Sequence, residues 1–593
     1  MFNIIARLWG HLTKQRKIQF SLFFIISIFG SLLEVVSLGA IIPFLAALLN
    51  PEQMLSYPII SDVLAHLNIT DPKEIMLLLT VIFGFAAIFS GIVRLFILYL
   101  SPKLAFMTTH DLGVNIYRLQ LHQPYEKHME KPSSEIIAGI TAKTYTISGI
   151  LQASINFINS LALIIFIAIA LVLLDPKVAL ISALFIGSMY LTVIFLVRRK
   201  LDLNSEHIGK ESSQTIRALQ EGLSGIRDII LDSSQKLYCN IYNTSDRKLR
   251  SAQASNMFIQ GSPRYIVESL GMVFIAGVAL SLSNSQNGLL DSLPVLGALV
   301  LGAQRLLPAL QQLFSTWSLV NGFKRPILDV LDLLDQPDNQ NISNYNENAL
   351  FLDEIVEFNN VNFGYASNKQ QILFDINFSF PKGSKIAFVG TTGSGKSTII
   401  DLIMGLLKPS KGRVLIDGIP LDDMNCAQWQ KQISHVPQKM HLIDATIAEN
   451  IVLGSSLEKI DHDLLNEVVT QAQLLDFIKE SPNGYNTRVG ESGNALSGGQ
   501  IQRIGIARAL YKKANVIVLD EATSALDSVT EHNMMTAISK SNKKLTIIIV
   551  THRLSTVRDC DIIFELNSGR LVAKGSYNEL LKTSSIFKKM AEV

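Results

Sequence analysis

Between residues 390 and 398 the chain reads Gly-Thr-Thr-Gly-Ser-Gly-Lys-Ser-Thr. This run follows an apolar, strand-like segment that ends at Val389, and it precedes a helix-like segment that reaches Leu407. Its glycines let backbone N–H groups wrap phosphates, Lys396 supplies positive charge, and the Ser397 hydroxyl can bind Mg²⁺. Because strand, loop and helix follow in the order that a phosphate-binding loop requires, the sequence predicts a nucleotide site. Its loop residues are Gly390, Thr391, Thr392, Gly393, Ser394, Gly395, Lys396, Ser397 and Thr398.

A second apolar run, Val516–Leu519, ends in the two carboxylates Asp520 and Glu521. Downstream of a phosphate loop, we expect Asp520 to hold Mg²⁺ and Glu521 to polarise the attacking water. The pair taken alone would also suit an acidic helix N-terminus without a catalytic role. Together with Lys385–Val389 and Leu545–Val550, this run predicts a parallel sheet that is covered on both faces.

The most specific pattern is Leu496-Ser497-Gly498-Gly499-Gln500, ahead of a predicted helix from Ile501 to Leu510. Its two glycines permit close backbone approach, and a helix N-terminus favours anions. This segment resembles the signature of ATP-binding-cassette (ABC) proteins. The chain also carries residues similar to the family's other motifs, in the family's order.

The resemblance implies a role for each of these positions. Tyr365 would stack on adenine, Gln438 would be the Q-loop glutamine, Ser524–Asp527 the D-loop, and His552 the switch histidine that contacts the γ-phosphate. The implied catalytic residues are Glu521, His552, Gln438 and Lys396, and the implied Mg²⁺ ligands are Ser397, Gln438 and Asp520. Beyond the phosphate loop, ATP would contact Tyr365, Ser497, Gly498, Gly499 and Gln500.

In that family two cassettes pair head to tail, so each ATP lies between one chain's phosphate loop and the other chain's signature. ATP can then hold the dimer together until hydrolysis releases it. The resemblance therefore implies ATP and Mg²⁺ as cofactors and a homodimer as the preferred assembly. A heterodimer with another half-transporter stays open as the alternative.

The first half of the chain is predicted to cross a membrane. The chain has 48% hydrophobic residues and a mean hydropathy of +0.30, and the surplus is confined to that half. A bilayer span needs about 20 apolar residues. The formal net charge of the whole chain is +2, which gives no support for nucleic-acid binding. The six predicted spans are Ile18–Leu49, Glu74–Leu100, Ser148–Leu174, Val178–Val197, Met257–Leu282 and Leu293–Val320.

Lysines and arginines are concentrated before the first span, between the second and third, and between the fourth and fifth. Positive residues favour the cytoplasmic side, so both termini are expected in the cytoplasm. The two long cytoplasmic connections favour helices that project from the bilayer rather than solvated loops. We expect short transverse segments near Pro124–Lys131 and Thr215–Asp228.

These observations predict a membrane all-α domain of six helices fused to a cytoplasmic α/β P-loop ATPase domain. The predicted boundaries are 1–323 for the transmembrane domain, 324–350 for a polar linker and 351–593 for the ABC domain. Thr487–Glu491 resembles a segment of exporter cassettes, and six spans ahead of one cassette is the exporter arrangement. The resemblance implies a multi-pass protein of the bacterial inner membrane.

Charged residues within the spans are candidates for cargo binding, since such charges are costly and often functional. The candidates are Glu34, Arg94, Arg264 and Arg305, with Arg264 spaced to pair with Glu268. Snorkelling and internal pairing are the alternative to a cationic cavity for an anionic headgroup.

Within the first span, the stretch Leu32–Pro43 is similar to the first span of lipid-linked oligosaccharide flippases of the PglK type, and the chain resembles MsbA more distantly. The preferred cargo is therefore a lipid-linked glycan. Lipid A, phospholipid, drug or peptide export stays open. A nucleotide-gated channel and a soluble cassette ATPase are alternatives from other classes.

Overall fold

A computed structural model describes residues 2–39, 72–174, 176–283, 288–339, 350–365, 371–454, 460–523, 525–541, 544–551 and 553–591. For a number of helical residues, Arg305 among them, it describes the backbone alone. Contacts divide the chain into two units. The helical unit comprises Met1–His122 and Lys131–Pro337, and the ATPase unit comprises Gln123–Glu130 and Asp338–Val593.

Long helices dominate the helical unit. Four segments are long and apolar enough to cross a membrane by length and composition, namely Lys14–Ser37, Met76–Leu121, Ser133–Ile169 and Ala179–Ser224. They overlap the first four predicted spans, although residues 40–49 of the first span lie outside the described residues. The fifth and sixth predicted spans fall on the helices Gln235–Ser283 and Gly288–Gly322, where many side chains lie outside the described residues. The helices are α1 Phe2–Gly10, α2 Lys14–Gly39, α3 Pro72–Leu121, α5 Ser133–Ala138, a π-helix Gly139–Lys143, α6 Thr144–Leu174, α7 Pro176–Ser224, α8 Ile226–Leu231, α9 Gln235–Ser283, α10 Gly288–Gly322 and α11 Lys324–Leu334.

Three helices are longer than a bilayer is thick. The helices α3, α7 and α9 contain 50, 49 and 49 residues, and at about 1.5 Å per residue each exceeds the roughly 30 Å of hydrocarbon. The first predicted transverse segment corresponds to a short helix of the ATPase unit, α4 Tyr125–Glu130. The second was placed too early, because residues 215–224 contain no proline and α7 continues to Ser224 before α8 begins.

The predicted linker 324–350 begins with a packed helix. Within α11, Ile327, Val330 and Leu331 are fully buried in a core shared with α1, α2, α3 and α6. Arg7 of α1 also pairs with Asp332 and Asp335. The helical unit therefore extends to Pro337, because an apolar stripe at helical spacing lies inside an aspartate-rich sequence.

Two sheets form the frame of the ATPase unit. An antiparallel sheet has the order β2-β1-β4-β5, and a six-stranded sheet has the order β10-β9-β3-β8-β7-β6, parallel except for β10. The strands are β1 Ile355–Gly364, β2 Gln371–Pro381, β3 Lys385–Gly390, β4 Lys411–Ile416, β5 Ile419–Pro420, β6 Ile433–Val436, β7 Val516–Asp520, β8 Thr546–Val550, β9 Ile562–Asn567 and β10 Arg570–Gly575.

The three predicted apolar strands are β3, β8 and β7, and they are neighbours at the centre of the six-stranded sheet. Apolar cores cover both faces of this sheet, as continuous apolar strands require. Parallel strands end at one edge, so the loops after β3, β7 and β8 meet there. The helices of this unit, beside α4, are α12 Lys396–Ile403, α13 Cys426–Lys431, α14 Ile447–Ile451, α15 His462–Gln471, α16 Leu475–Glu480, α17 Gly498–Tyr511, α18 Ser528–Ser541, α19 Leu554–Val557, α20 Tyr577–Thr583 and α21 Ser585–Ala591.

Candidate nucleotide site

The loop between β3 and α12 forms a cradle that depends on two glycines. Gly390 has φ +152°, and a Cβ there would lie 2.1 Å from the Leu566 carbonyl oxygen. Gly395 has φ +100°, and its Cβ would lie 2.6 Å from a Leu373 methyl group. A side chain at either position would be both strained and obstructed, so the loop keeps its backbone open to a ligand.

Lys396 and Ser394 fit this loop to a phosphate group. Lys396 is 7% exposed, and its ammonium donates to the carbonyl oxygens of Gly390 and Thr391, at 2.9 Å each. Burial lowers the pKa of Lys396, against the charges of Glu521 and Asp520. The buried Ser394 hydroxyl has no hydrogen-bond partner among the described residues. A ligand with several acceptor oxygens would satisfy both groups.

The end of β7 holds the two predicted carboxylates. Glu521 adopts a left-handed backbone with φ +49°, and its N–H donates to the Val550 carbonyl at the end of β8, at 2.8 Å. Gln438 Nε2 donates to Glu521 Oε2 at 2.5 Å. The Q-loop candidate and the proposed base are therefore in contact, and the base is fixed at the edge where β8 also ends.

The donor set at this edge suits Mg²⁺ bound together with nucleotide. Mg²⁺ binds through one or two carboxylates, waters and substrate phosphates rather than through a protein cage. Ser397, Asp520 and Gln438 supply a hydroxyl, a carboxylate and an amide oxygen of this kind. The described residues contain no group of three His, Cys, Asp or Glu side chains that could hold a metal alone. When bound, the ion would neutralise phosphate charge.

Tyr365 lies at the end of β1, next to the phosphate-loop helix. Its ring packs edge-on against Phe363 with centroids 5.0 Å apart. Burial raises the pKa of Tyr365, a hydrogen bond with Thr398 opposes this, and the negative charges of Asp401 and Glu126 add to it. The aromatic proposed for adenine is thus positioned by the phosphate-loop helix, and it lies within the electrostatic reach of α4.

The signature segment begins α17 on the surface. Ser497 Oγ accepts from the Gln500 N–H at 3.3 Å, and Gln500 Oε1 accepts from the Ser497 N–H at 2.8 Å. These two bonds form a capping box, which satisfies the first N–H groups of the helix. Among the described residues, no hydrogen bond or ion pair joins Ser497–Gln500 to the phosphate loop. Ser497 and Gly498 are exposed, so they are accessible to a second chain.

A buried carboxylate that the sequence did not single out connects the loops after β7 and β8. Glu531 is 5% exposed, and its Oε1 accepts from the hydroxyls of Thr523 at 2.8 Å and Thr556 at 2.6 Å. Arg553 lies 3.6 Å from its other oxygen and donates to the carbonyls of Thr523 and Leu526. Glu531 lies four residues after Asp527, and an acidic first helical turn was the only signal there.

Two predicted loop residues, Ser524 and His552, lie outside the described residues. Their neighbours are described: the Asp527 carboxylate accepts from the Thr530 N–H at 2.9 Å and so caps α18. The Arg553 N–H donates to the Thr551 hydroxyl at 3.0 Å.

Three of the four candidate cargo residues within the spans are engaged in ion pairs. Arg94 lies 3.2 Å from Glu34, and Arg264 lies 2.7 Å from Glu268. The side chain of Arg305 lies outside the described residues. The structure therefore brings Glu34 and Arg94 together, and it pairs Arg264 with Glu268 one turn along the same helix.

Asp401 gives the site a pH-dependent stability. Burial, and then the charge of Asp520, raises the pKa of Asp401 from 3.8 to about 6. The folded state thus holds this proton more tightly, so ionised Asp401 opposes folding at neutral pH, and the penalty fades as pH falls from about 6 towards 3.8. We expect Asp401→Asn to stabilise the nucleotide-free protein by about 1–2 kcal/mol at neutral pH and hardly at all near about pH 4.

Thermal unfolding of parent and variant across this pH range measures the effect. The matched control is Asp463→Asn on α15, an exposed aspartate that lies far from the sheet edge in sequence. An Asp401→Asn shift that does not shrink on acidification would contradict the raised pKa.

The chain matches two family models and is similar to several known proteins. The family model described as ABC transporter matches residues 373–524, and the one described as ABC transporter transmembrane region matches residues 19–301. An ATP-dependent lipid A-core flippase of Legionella pneumophila (strain Paris) is 30% identical over 493 residues, which is 80% of each chain. The β-(1→2)glucan export ATP-binding/permease protein NdvA of Agrobacterium fabrum is 43% identical over 232 residues, 39% of each chain.

A solved structure of a bacterial Atm1-family ABC exporter with ATP bound has the same fold. It aligns with a TM-score of 0.77 at 23% identity, over 98% of this chain and 99% of that one. The fold agrees with the sequence prediction of a helical membrane domain and an α/β ATPase domain. The chain belongs to the ABC transporter family, as an exporter-type transmembrane region fused to an ATPase domain that couples ATP hydrolysis to transport.

Proposed function

We propose that this transporter moves a glycan-bearing lipid, with a lipid-linked oligosaccharide as the preferred cargo, across the bacterial inner membrane. The observation that carries the cargo class is the pair of relatives, one acting on lipid A-core and the other on a β-(1→2)glucan. Both names describe cargo that contains sugar. Lipid A itself is the second candidate, because a relative that aligns over 80% of this chain is a lipid A-core flippase.

The proposed cycle uses two chains. The phosphate loop, Asp520 and Glu521 would hold and cut ATP with Mg²⁺, while Ser497–Gln500 of a second chain would cover the γ-phosphate. Support comes from the exposure of Ser497 and Gly498 at the start of α17, and from the lack of any described hydrogen bond between the signature and the phosphate loop. A homodimer is preferred, because the phosphate loop, the carboxylates and the signature all match the family pattern in this one chain.

The ion pairs within the spans indicate which of the candidate residues can bind the headgroup of the cargo. Because Arg94 and Arg264 each have a carboxylate partner, they are poor candidates for an anionic headgroup. Arg305 remains a candidate for binding an anionic headgroup, and its side chain lies outside the described residues. Cargo recognition through the glycan then requires polar residues other than arginine.

Reconstitution tests the cargo class. The purified full-length protein in phosphatidylcholine proteoliposomes is supplied with ATP and Mg²⁺ and, separately, with a polyprenyl-diphosphate oligosaccharide, lipid A, phosphatidylglycerol or an amphipathic peptide. We expect the oligosaccharide lipid to stimulate ATP hydrolysis most strongly and to change leaflet, as measured by its protection from an externally added glycosidase.

The hydrolysis-deficient variant Glu521→Gln serves as the control for leaflet exchange that does not depend on ATP. Stimulation by lipid A alone would move the assignment to the second candidate. Stimulation by the peptide alone would refute glycan transport. Ionic conductance in planar bilayers without any cargo movement would place the protein among nucleotide-gated channels.

A further inference from the structure

A polar cavity of about 340 Å³ lies among α2, α6 and α10 in the membrane-spanning region. This volume falls at the lower end of the range for small-ligand sites, about 300–1,000 Å³. Seven of the ten described residues that line it are polar. The six that matter here are Ser31 and Glu34 of α2, Asn156 and Asn159 of α6, and Gln304 and Gln312 of α10.

The spacing of these residues directs them to one place. Ser31 and Glu34, like Asn156 and Asn159, are three residues apart, and Gln304 and Gln312 are eight apart, so each pair lies on one helix face. The α10 pair spans about 12 Å along the helix axis. Polar side chains within spans are costly and face a bundle interior or a watery cavity. Three helices that each direct a polar pair into the same cavity indicate a binding site.

One residue that lines this cavity has a buried side-chain atom without a hydrogen-bond partner. The Asn159 side-chain carbonyl oxygen is buried and has no hydrogen bond within the described part of the chain. Its backbone carbonyl already accepts from the Ser31 hydroxyl at 3.2 Å. A buried acceptor without a donor is unfavourable, so a donor that enters the cavity would satisfy the Asn159 side chain once its amide turns towards the cavity.

The charge of the cavity selects among ligands. No lysine or arginine is among the described side chains that line it, and its one ionisable group, Glu34, accepts from Arg94. Carboxamides both donate and accept, as hydroxyl groups do, whereas a phosphate at neutral pH mainly accepts. The chemistry therefore matches a neutral ligand with many hydroxyl groups.

We propose that this cavity binds sugar hydroxyls of the cargo, with Asn156, Asn159, Gln304 and Gln312 as the hydrogen-bonding residues and Glu34 as a further acceptor. The proposal rests on the proposed function and assigns a site to it. The diphosphate and the lipid tail of the cargo would be recognised elsewhere.

The experiment compares two probes that differ in sugar alone. A polyprenyl diphosphate bearing a disaccharide, and the same polyprenyl diphosphate without sugar, are titrated into proteoliposomes while ATP hydrolysis is measured. The parent protein should respond at a lower mole fraction of the sugar-bearing probe. In Asn159→Leu and Asn156→Leu, the half-stimulating fraction of that probe should rise at least about fivefold, the effect of one lost hydrogen bond, with an unchanged response to the other probe.

The matched control is Gln152→Leu, which removes a carboxamide from α6 one turn away and outside the cavity lining, and should respond like the parent. If a leucine variant fails to assemble, Asn159→Ser removes the same carboxamide and keeps a smaller polar side chain. It should show a weaker shift in the same direction.

Three outcomes separate the claims. Leucine variants with the parent's response to the sugar-bearing probe would overturn the cavity assignment. A parent that responds equally to both probes would overturn it too, while leaving a polyprenyl-linked cargo in place. A parent that responds to neither probe would remove the preferred cargo itself, and with it this site.

Discussion

Replacing Glu521 by Gln should reduce steady ATP hydrolysis by at least about 100-fold, the usual contribution of a general base at its lower end. The change removes the carboxylate that would accept a proton from the attacking water and keeps its size. The introduced glutamine can still occupy the position beside Gln438, so ATP binding and the ATP-bound dimer should persist. Hydrolysis rates in proteoliposomes and size-exclusion chromatography with ATP measure the two properties.

The control for Glu521→Gln is the same exchange at Glu579. That carboxylate accepts from the Ser576 N–H at 2.8 Å in the capping box of α20, and glutamine can cap in the same way. Glu579→Gln should therefore hydrolyse ATP at the parent rate. Near-normal turnover in Glu521→Gln would show that another group is the base.

Replacing Glu531 by Ala should damage both stability and catalysis. The substitution leaves the buried hydroxyls of Thr523 and Thr556 without their acceptor and removes the carboxylate beside Arg553. Together these losses should lower the free energy of unfolding by about 2–4 kcal/mol. Because the residues after β7 and β8 would then be free to shift, and a 1 Å misplacement can reduce rates about 100-fold, we expect kcat to fall roughly 10- to 100-fold. Thermal unfolding and kcat, assayed well below the unfolding midpoint, measure the two effects.

The variant Glu531→Gln separates geometry from bulk destabilisation. Its amide oxygen can accept from the same two threonines, so it should recover most of the lost stability and part of kcat, with KM for ATP close to that of the parent. If Glu531→Ala lowers the unfolding midpoint but leaves kcat unchanged, the carboxylate has a packing role alone and does not position the catalytic loops.

The elements that could be predicted from the sequence are those with local or periodic signals. Continuous apolar runs identified β3, β7 and β8, because strands buried on both faces need no polar alternation. The loop at 390–398 was recognised because its glycines, lysine and hydroxyls fill consecutive positions. The ion pair of Arg264 with Glu268 followed from a spacing of four residues in one helix.

What escaped prediction depends on contacts between distant parts of the chain. Glu34 and Arg94 pair across 60 residues and two helices, and nothing in the local sequence of either indicates the other. The Glu531 contacts form only when the loops after β7 and β8 lie side by side. The helix α11 was assigned to a linker because the longer segment from Pro326 to Asn348 is rich in asparagine and aspartate, although Ile327, Val330 and Leu334 stand at helical spacing.

The hydrogen bond between Gln438 and Glu521 has a consequence for an idle transporter. Under the proposed roles, the Gln438 amide donates a hydrogen bond to Glu521 Oε2, a carboxylate oxygen that would otherwise orient a water molecule for attack. If the amide turned so that its oxygen faced a bound Mg²⁺, as the role proposed for Gln438 requires, the same movement would release that carboxylate oxygen. Under these roles, nucleotide binding and release of the base are coupled, and the subunit without nucleotide keeps one oxygen of its base hydrogen-bonded.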